Sequence, residues 1–233
     1  MRLAVNERAR AFKAVSPGML PPLGIIFGLF VAFVAAEVWS DFDRAKLAVS
    51  SEASALRAVV LLAASFPGEP EAQLRALVRR HIEEAARQEW PAMAWQTATL
   101  TTIPASLTEA LQLTLALTPG NDGQKTAQRE IVTSLQRALD ARRQRIVISE
   151  STVDWVKWTG LLLQAVVTLL AIAMVHSDNR VTAALALALF ATSVAISVVL
   201  IASHNQPFAG DILVGSEVLL QVMPEEGVPA PGN

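Results

Sequence analysis

Three stretches of this chain are too long and too apolar for the core of a small water-soluble domain, and they decide most of what it can fold into. Leu20–Trp39 carries no charge before Glu37. Trp158–Val175 has only Thr159, Gln164 and Thr168 as polar residues, and Val181–Ser203 has no charge at all. A hydrocarbon core about 30 Å thick is crossed by about 20 residues of helix, so each stretch meets or approaches the length of a transmembrane span. The second and third are joined by "HSDNR" (176–180), which is long enough only for a tight turn, so they pair as an antiparallel hairpin. Composition agrees. The chain is 52% hydrophobic and 17% charged, with mean hydropathy +0.40, whereas soluble domains carry about 25% charged residues. An all-α integral membrane protein with three transmembrane helices and a helical extramembrane extension follows.

The same pass sets the domain organisation. Residues 1–18 form a basic N-terminal leader, 19–40 the first transmembrane helix, and 41–154 a helical extramembrane region. Residues 155–203 form the transmembrane hairpin, and 204–233 a C-terminal segment with a disordered tail. The leader (Arg2, Arg8, Arg10 and Lys13 against Glu7), the apolar run and Val34-Ala35-Ala36 also fit a cleavable signal peptide. Against that reading, Pro21-Pro22 opens the apolar run and no polar break follows Ala36. The helical pattern instead continues straight into "EVWSDFDRAKLAVSSEASALRAVVLLAASF".

In the extramembrane region acids and bases nearly balance and the periodicity is helical nearly throughout. The first span continues over 41–65, Pro67-Gly68 makes a turn, and Glu69-Pro70-Glu71 opens a second helix. That helix carries Leu74, Leu77, Val78, His81, Ile82 and Ala85 on one stripe and ends at "EWPAM" (89–93). Pro104 opens a third, which Pro119-Gly120-Asn121-Asp122-Gly123 stops. A fourth, from about 124, runs through "ARRQRIVISESTVDWVKW" toward the membrane.

Several chemistries are excluded. With no cysteine there are no disulfides, thiolate metal sites or cysteine nucleophiles, and a net charge of −2 gives no basic character suited to nucleic acid. His81, His176 and His204 show no ligand spacing, and the sequence holds no HExxH, nucleophile elbow or glycine-rich phosphate loop. Neither an enzyme nor a cofactor is expected. His81 reads as a packed histidine on its apolar stripe. Trp39 closes the first span while Trp155 and Trp158 open the second, with Lys157 between them as a snorkelling cation, so these four read as membrane-interface anchors. Gln164 and Thr168, four residues apart inside the second span, are expected to hydrogen-bond between helices. Ala184, Ala188, Ala191 and Ala195 are expected as close-packing positions. Orientation stays divided: the basic leader argues for a cytoplasmic N-terminus, whereas Arg142, Arg143 and Arg145 argue for a cytoplasmic middle region.

The stretch "GIIFGLFVAFVAAEVWSDFDRA" resembles the second transmembrane helix of bestrophins. Gly28-Leu29-Phe30-Val31 and Val38-Trp39-Ser40-Asp41-Phe42-Asp43 stand where that helix has a glycine, an aromatic, a closing tryptophan and an aromatic–acid pair. Over most of the chain the order of the first span, "SSEASAL", "EWPAM", the Arg-rich helix, the hairpin and "NQPFAGDILVGSE" is similar to the bacterial bestrophin-like membrane proteins. Members of that family usually have one more span ahead of the first one here, so a preceding helix is expected to be missing or the start shortened. The resemblance implies a homo-oligomer, favouring a pentamer, in the bacterial inner membrane with the middle region cytoplasmic. It also implies passage of anions such as chloride through a hydrophobic neck. Carried over at every fourth position, the neck is Pro21, Ile25, Leu29 and Phe33. Apolar rings around a narrow bore gate ions by dewetting. The matching bestrophin positions hold phenylalanine, so Ile25 and Leu29 are departures. The acidic run that binds calcium in animal bestrophins is absent after Pro207-Phe208, leaving Asp211 and a distant Glu217, and no calcium site is expected.

Glu37 and Glu52 are expected at the pore mouth or vestibule, where a ring of carboxylates favours cations; Glu52 alternatively bridges subunits. The bland readings are an interfacial carboxylate for Glu37 and lipid-facing packing for the neck row. Two further functions share the fold: a membrane sensor whose helical middle region binds a ligand, and a non-conducting scaffold. A sensor would normally continue into a signalling domain, which the 30 residues after the hairpin do not provide.

Overall fold

Among the described residues, a short turn at Pro17–Met19 leads into a helix that runs unbroken from Leu20 to Ala63 (α1), 44 residues. At about 1.5 Å per residue this is about 65 Å, roughly twice the hydrocarbon thickness. Pro21 and Pro22 lie in its first turn, where proline's missing N–H is no loss. The structure, a computed structural model, describes residues 17–210 and 212–225. The leader up to Ser16, Asp211 and the tail from Glu226 lie outside the described residues, and with them most of the leader and the expected tail disorder.

After α1 come α2 (Glu69–Glu84), a π-helical turn (Ala85–Glu89), α3 (Trp90–Ala94), α4 (Ala105–Ala116) and α5 (Asp122–Glu150). They are followed by α6 (Trp155–Val175), α7 (Arg180–His204) and α8 (Glu217–Leu220), and no strand occurs among the described residues. The all-α class is as the sequence requires. Three of these helices, α1, α6 and α7, are long and apolar enough to cross a membrane. The chain divides into two units: Met1–Ser40 with Thr152–Asn205, and Asp41–Ser151 with Gln206–Asn233.

In the first unit the start of α1 packs on α6 and α7 through Val34, Ala35, Val38, Leu161 and Ile201, flanked by Phe30, Val31, Trp158 and Val198. Phe27 of α1 meets Phe190 of α7 with ring centroids 5.3 Å apart. Gly160 of α6 lies against Phe30 of α1, where an added Cβ would stand 3.4 Å from the ring, at ordinary contact distance. The Asn179 side chain caps α7 by accepting from the Val181 and Thr182 amides. The Thr168 hydroxyl donates to the Gln164 carbonyl of its own helix at 2.9 Å, so that expected interhelical bond is not formed. A hydroxyl four residues after a carbonyl finds it within reach and needs no neighbour. The four alanines of α7 expected at helix contacts are exposed on this protomer.

In the second unit the rest of α1 presents Ala45, Val49, Glu52, Leu56, Val59 and Ala63 as a buried stripe. The alternation of four and three residues keeps one helix face inward. It packs with Leu74, Val78 and Ile82 of α2, Leu107 and Ala110 of α4, and Ile131, Leu135 and Ala138 of α5. One helix end agrees with expectation and one differs. The second helix passes through the π turn, where the Trp90 amide bonds the Ala85 carbonyl, and ends at Ala94, one residue past "EWPAM". The fourth does not reach the membrane span unbroken. It ends at Glu150, where the Ser151 hydroxyl and amide both turn back to the Ile148 carbonyl, and Ser151 is extended. Val153 then donates its amide to the Asn205 side chain at 2.9 Å, satisfying a donor that the helix break releases.

Candidate pore helix and buried ion network

Within the first unit the carried-over row lies on the bare side of α1. Pro21 is exposed, and Ile25, Leu29 and Phe33 are 63%, 54% and 72% exposed. Phe27, Val34 and Val38, on the other side of the helix, are buried in the bundle. The exposed side also includes Ile26, Ala32 and Ala36, so it is broader than a single row. No charged side chain occurs between Leu20 and Ala36. Glu37, one turn beyond Phe33, accepts a charge-assisted hydrogen bond from Lys157 Nζ. The pair unites two residues placed separately by sequence, a mouth carboxylate and an anchoring cation. Trp39 and Trp155 are exposed, while Trp158 is partly buried against the bundle.

The second unit holds an ion network that sequence reasoning did not assemble. Arg145, from α5, has a fully buried side chain. Its Nε and Nη2 donate to the two oxygens of Glu52 at 2.9 and 3.2 Å, and Nη2 also donates to Glu89 at 2.8 Å. His81 Nε2 lies 2.9 Å from Glu52 Oε1. The other Glu89 oxygen accepts from Arg142 Nε at 2.6 Å. Above the Arg145 guanidinium stands the Trp90 ring at 4.3 Å. The indole N–H of Trp90 donates to the Val214 carbonyl, and its ring meets Phe208 edge-on at 6.2 Å. Burial pulls the Arg145 pKa down, but the carboxylates of Glu52 and Glu89 outweigh it, and the guanidinium is held above its ordinary value. The π turn places Glu89: one extra residue per turn rotates it toward α5 while Trp90 follows on the next helix.

Glu52 therefore does not line a vestibule or bridge subunits. It is 0% exposed and both its oxygens are taken by Arg145 and His81. Exposed residues of this part of α1 include Asp43, Arg44, Lys46, Ser50, Ser51, Ser54 and Arg57, together with Leu47 and Leu61. A signal for the network does exist in the sequence. Glu52 falls on the four-and-three stripe with Ala45, Val49, Leu56 and Val59, and a carboxylate on a buried stripe needs a cation. Among the described residues no cluster of three or more His, Asp or Glu has metal-binding geometry.

A helical membrane protein with a long, bare first helix and an ion-locked helical bundle is a recognisable class. Residues 1–219 match the Bestrophin-like domain, and the chain belongs to the bestrophin-like family. In structure it is similar to a variant of a bacterial bestrophin homologue from Klebsiella pneumoniae, with TM-score 0.68 and 12% identity over 89% of this chain and 85% of that one. A second similar structure is a membrane protein variant, with TM-score 0.66 and 13% identity over 89% and 85% of the two chains. At these identities the likeness is one of fold. No curated protein sequence is significantly similar to the chain.

Proposed function

We propose that the protein is an oligomeric ion channel of the inner membrane, favouring a pentamer, in which α1 of each copy lines a central anion pathway such as one for chloride. The reading rests above all on the row Pro21, Ile25, Leu29 and Phe33, an uncharged stripe that the protomer leaves uncovered. Rings of such side chains make a hydrophobic neck that conducts only when wetted. Two further observations favour an anion. Glu37, the one carboxylate near the end of the row, is offset by Lys157. Glu52, which would attract cations if it faced water, is turned into the bundle, while Arg57 on the same helix is exposed. Trp39, Trp155, Lys157 and Trp158 act as anchors at the cytoplasmic interface, with the middle region inside the cell.

Purified protein in planar bilayers tests this. The parent is expected to give small anion-selective currents, and Ile25→Ala with Leu29→Ala to raise unitary conductance several-fold by widening the neck. Absence of current from both proteins removes the channel reading. Cation-selective current removes the anion assignment and keeps the pore.

A further inference from the structure

We infer that the second unit contains a binding site for a small carboxylate anion, built on Arg142 and separate from the proposed permeation row. Arg142 is 8% exposed, and its Nε is engaged by Glu89 at 2.6 Å. Its two terminal nitrogens make no hydrogen bond among the described residues. They border an open pocket of about 250 Å³, where the exposed Thr102 hydroxyl and Gln88 amide stand at the rim and Ala98 and Ile146 supply apolar wall. Those two nitrogens are not cut off from water, and a ligand that replaces the water there with a charge-assisted, two-point pair gains a strong contact.

Geometry selects the ligand class. With Nε held, the remaining Nη1/Nη2 edge is a planar fork whose spacing matches the two oxygens of a carboxylate. A halide would use one point of that fork and fill little of the pocket. The apolar wall suits a short alkyl group. Charge permits it as well. Glu89 also borders the cavity, but Arg142 occupies one of its oxygens and Arg145 the other, so the carboxylate is covered by two cations. The cavity forms where the chain leaves α3, between that turn and α5. A bound carboxylate would thus tie the 95–104 loop to the helix carrying Arg142 and Arg145.

The test uses the full-length protein in detergent micelles, with sodium acetate replacing sodium chloride at constant ionic strength. Thermal unfolding is read by near-ultraviolet circular dichroism, and trifluoroacetate serves as a fluorine NMR probe. The expected result is a melting temperature that rises saturably with acetate as binding to the folded state requires. The trifluoroacetate line should broaden with the protein and sharpen again when acetate competes. Arg142→Gln is expected to abolish both effects. Because that change also strips Glu89 of a partner, Gln88→Leu with Thr102→Val provides a second arm that leaves every ion pair in place. It should weaken acetate binding about fivefold, the worth of one or two neutral hydrogen bonds. Equal responses in the parent and Arg142→Gln, or a trifluoroacetate line that acetate does not sharpen, overturn the site.

Discussion

The two units satisfy themselves to different degrees. In the extramembrane unit, the buried stripes of α1, α2, α4 and α5 close on one another, and the charged residues caught inside find partners, so no buried side-chain polar atom is left unmatched among the described residues. In the membrane unit the core is a small cluster, and only Ile201 of the 25 residues of α7 is buried. Water forces the first outcome, because an apolar face left open in water is costly. Lipid tails are as apolar as leucine and impose no such force. A bare apolar face is therefore costly only when its neighbour is water. On α1 the row from Pro21 to Phe33 is left bare by the protomer and open to lipid, a second copy or a pore, and the channel reading takes the third.

The comparison breaks most visibly at Arg145. If the extramembrane unit is held by complete pairing, Arg145→Met leaves Glu52 and part of Glu89 as buried charges without a cation. It should cost about 3–5 kcal/mol. Denaturant unfolding of the full chain in detergent, followed by near-ultraviolet circular dichroism, measures it. Adding Glu52→Leu should recover most of the loss, because an apolar replacement of both partners removes the uncompensated charge. Equal stabilities for the single and double variants would mean that pairing does not hold this unit together.

A matched pair of truncations sharpens the contrast. Leu135 and Leu161 are both fully buried, the first in the extramembrane core and the second in the membrane cluster. Leu135→Ala loses the transfer of its methyl groups out of water and also leaves a cavity, about 2–5 kcal/mol. For Leu161→Ala the unfolded reference still lies in lipid, so mainly the packing loss remains, about 1–2 kcal/mol. Unfolding curves for the two variants, with the parent as reference, give the difference directly. Equal costs would show that the membrane cluster is as tightly determined as the soluble core.

Much of this fold is legible in the sequence because apolar length and helical period are local signals. The run that starts at Leu20 and passes Trp39 without a break reads as one helix, and it is one. The pairing of Glu52, His81, Glu89 and Arg145 is not local. Its members come from α1, α2, the π turn and α5, up to 93 residues apart, and no periodicity links one helix face to another. The phase of Glu52 warns that a partner exists but not which of thirteen bases in 41–154 it is. The π turn is illegible for a related reason: "EWPAM" marks the helix end to within one residue, but the extra residue taken up over Ala85–Glu89 leaves no periodic signal.

The smallest expected effect lies at the end of that same helix. Gln96 is the one described non-glycine residue with positive φ, at 54°. Its amide bonds the Met93 carbonyl at 3.1 Å, and the next amide, Thr97, bonds Ala92 at 2.8 Å. These two bonds are the helix-ending pattern that normally places glycine in the left-handed position. Glutamine holds it against the clash of its Cβ with the following carbonyl, which costs about 1–2 kcal/mol. Gln96→Gly relieves that clash and loosens the unfolded chain, two terms of opposite sign. The expected net is a gain of about 0.5–1 kcal/mol, seen as a raised denaturation midpoint with unchanged slope. Gln96→Ala keeps the Cβ and should give no such gain. A gain from alanine equal to that from glycine would locate the effect in the lost amide side chain instead of the backbone, and the extramembrane unit would then carry no strain at the one position where its helix geometry requires it.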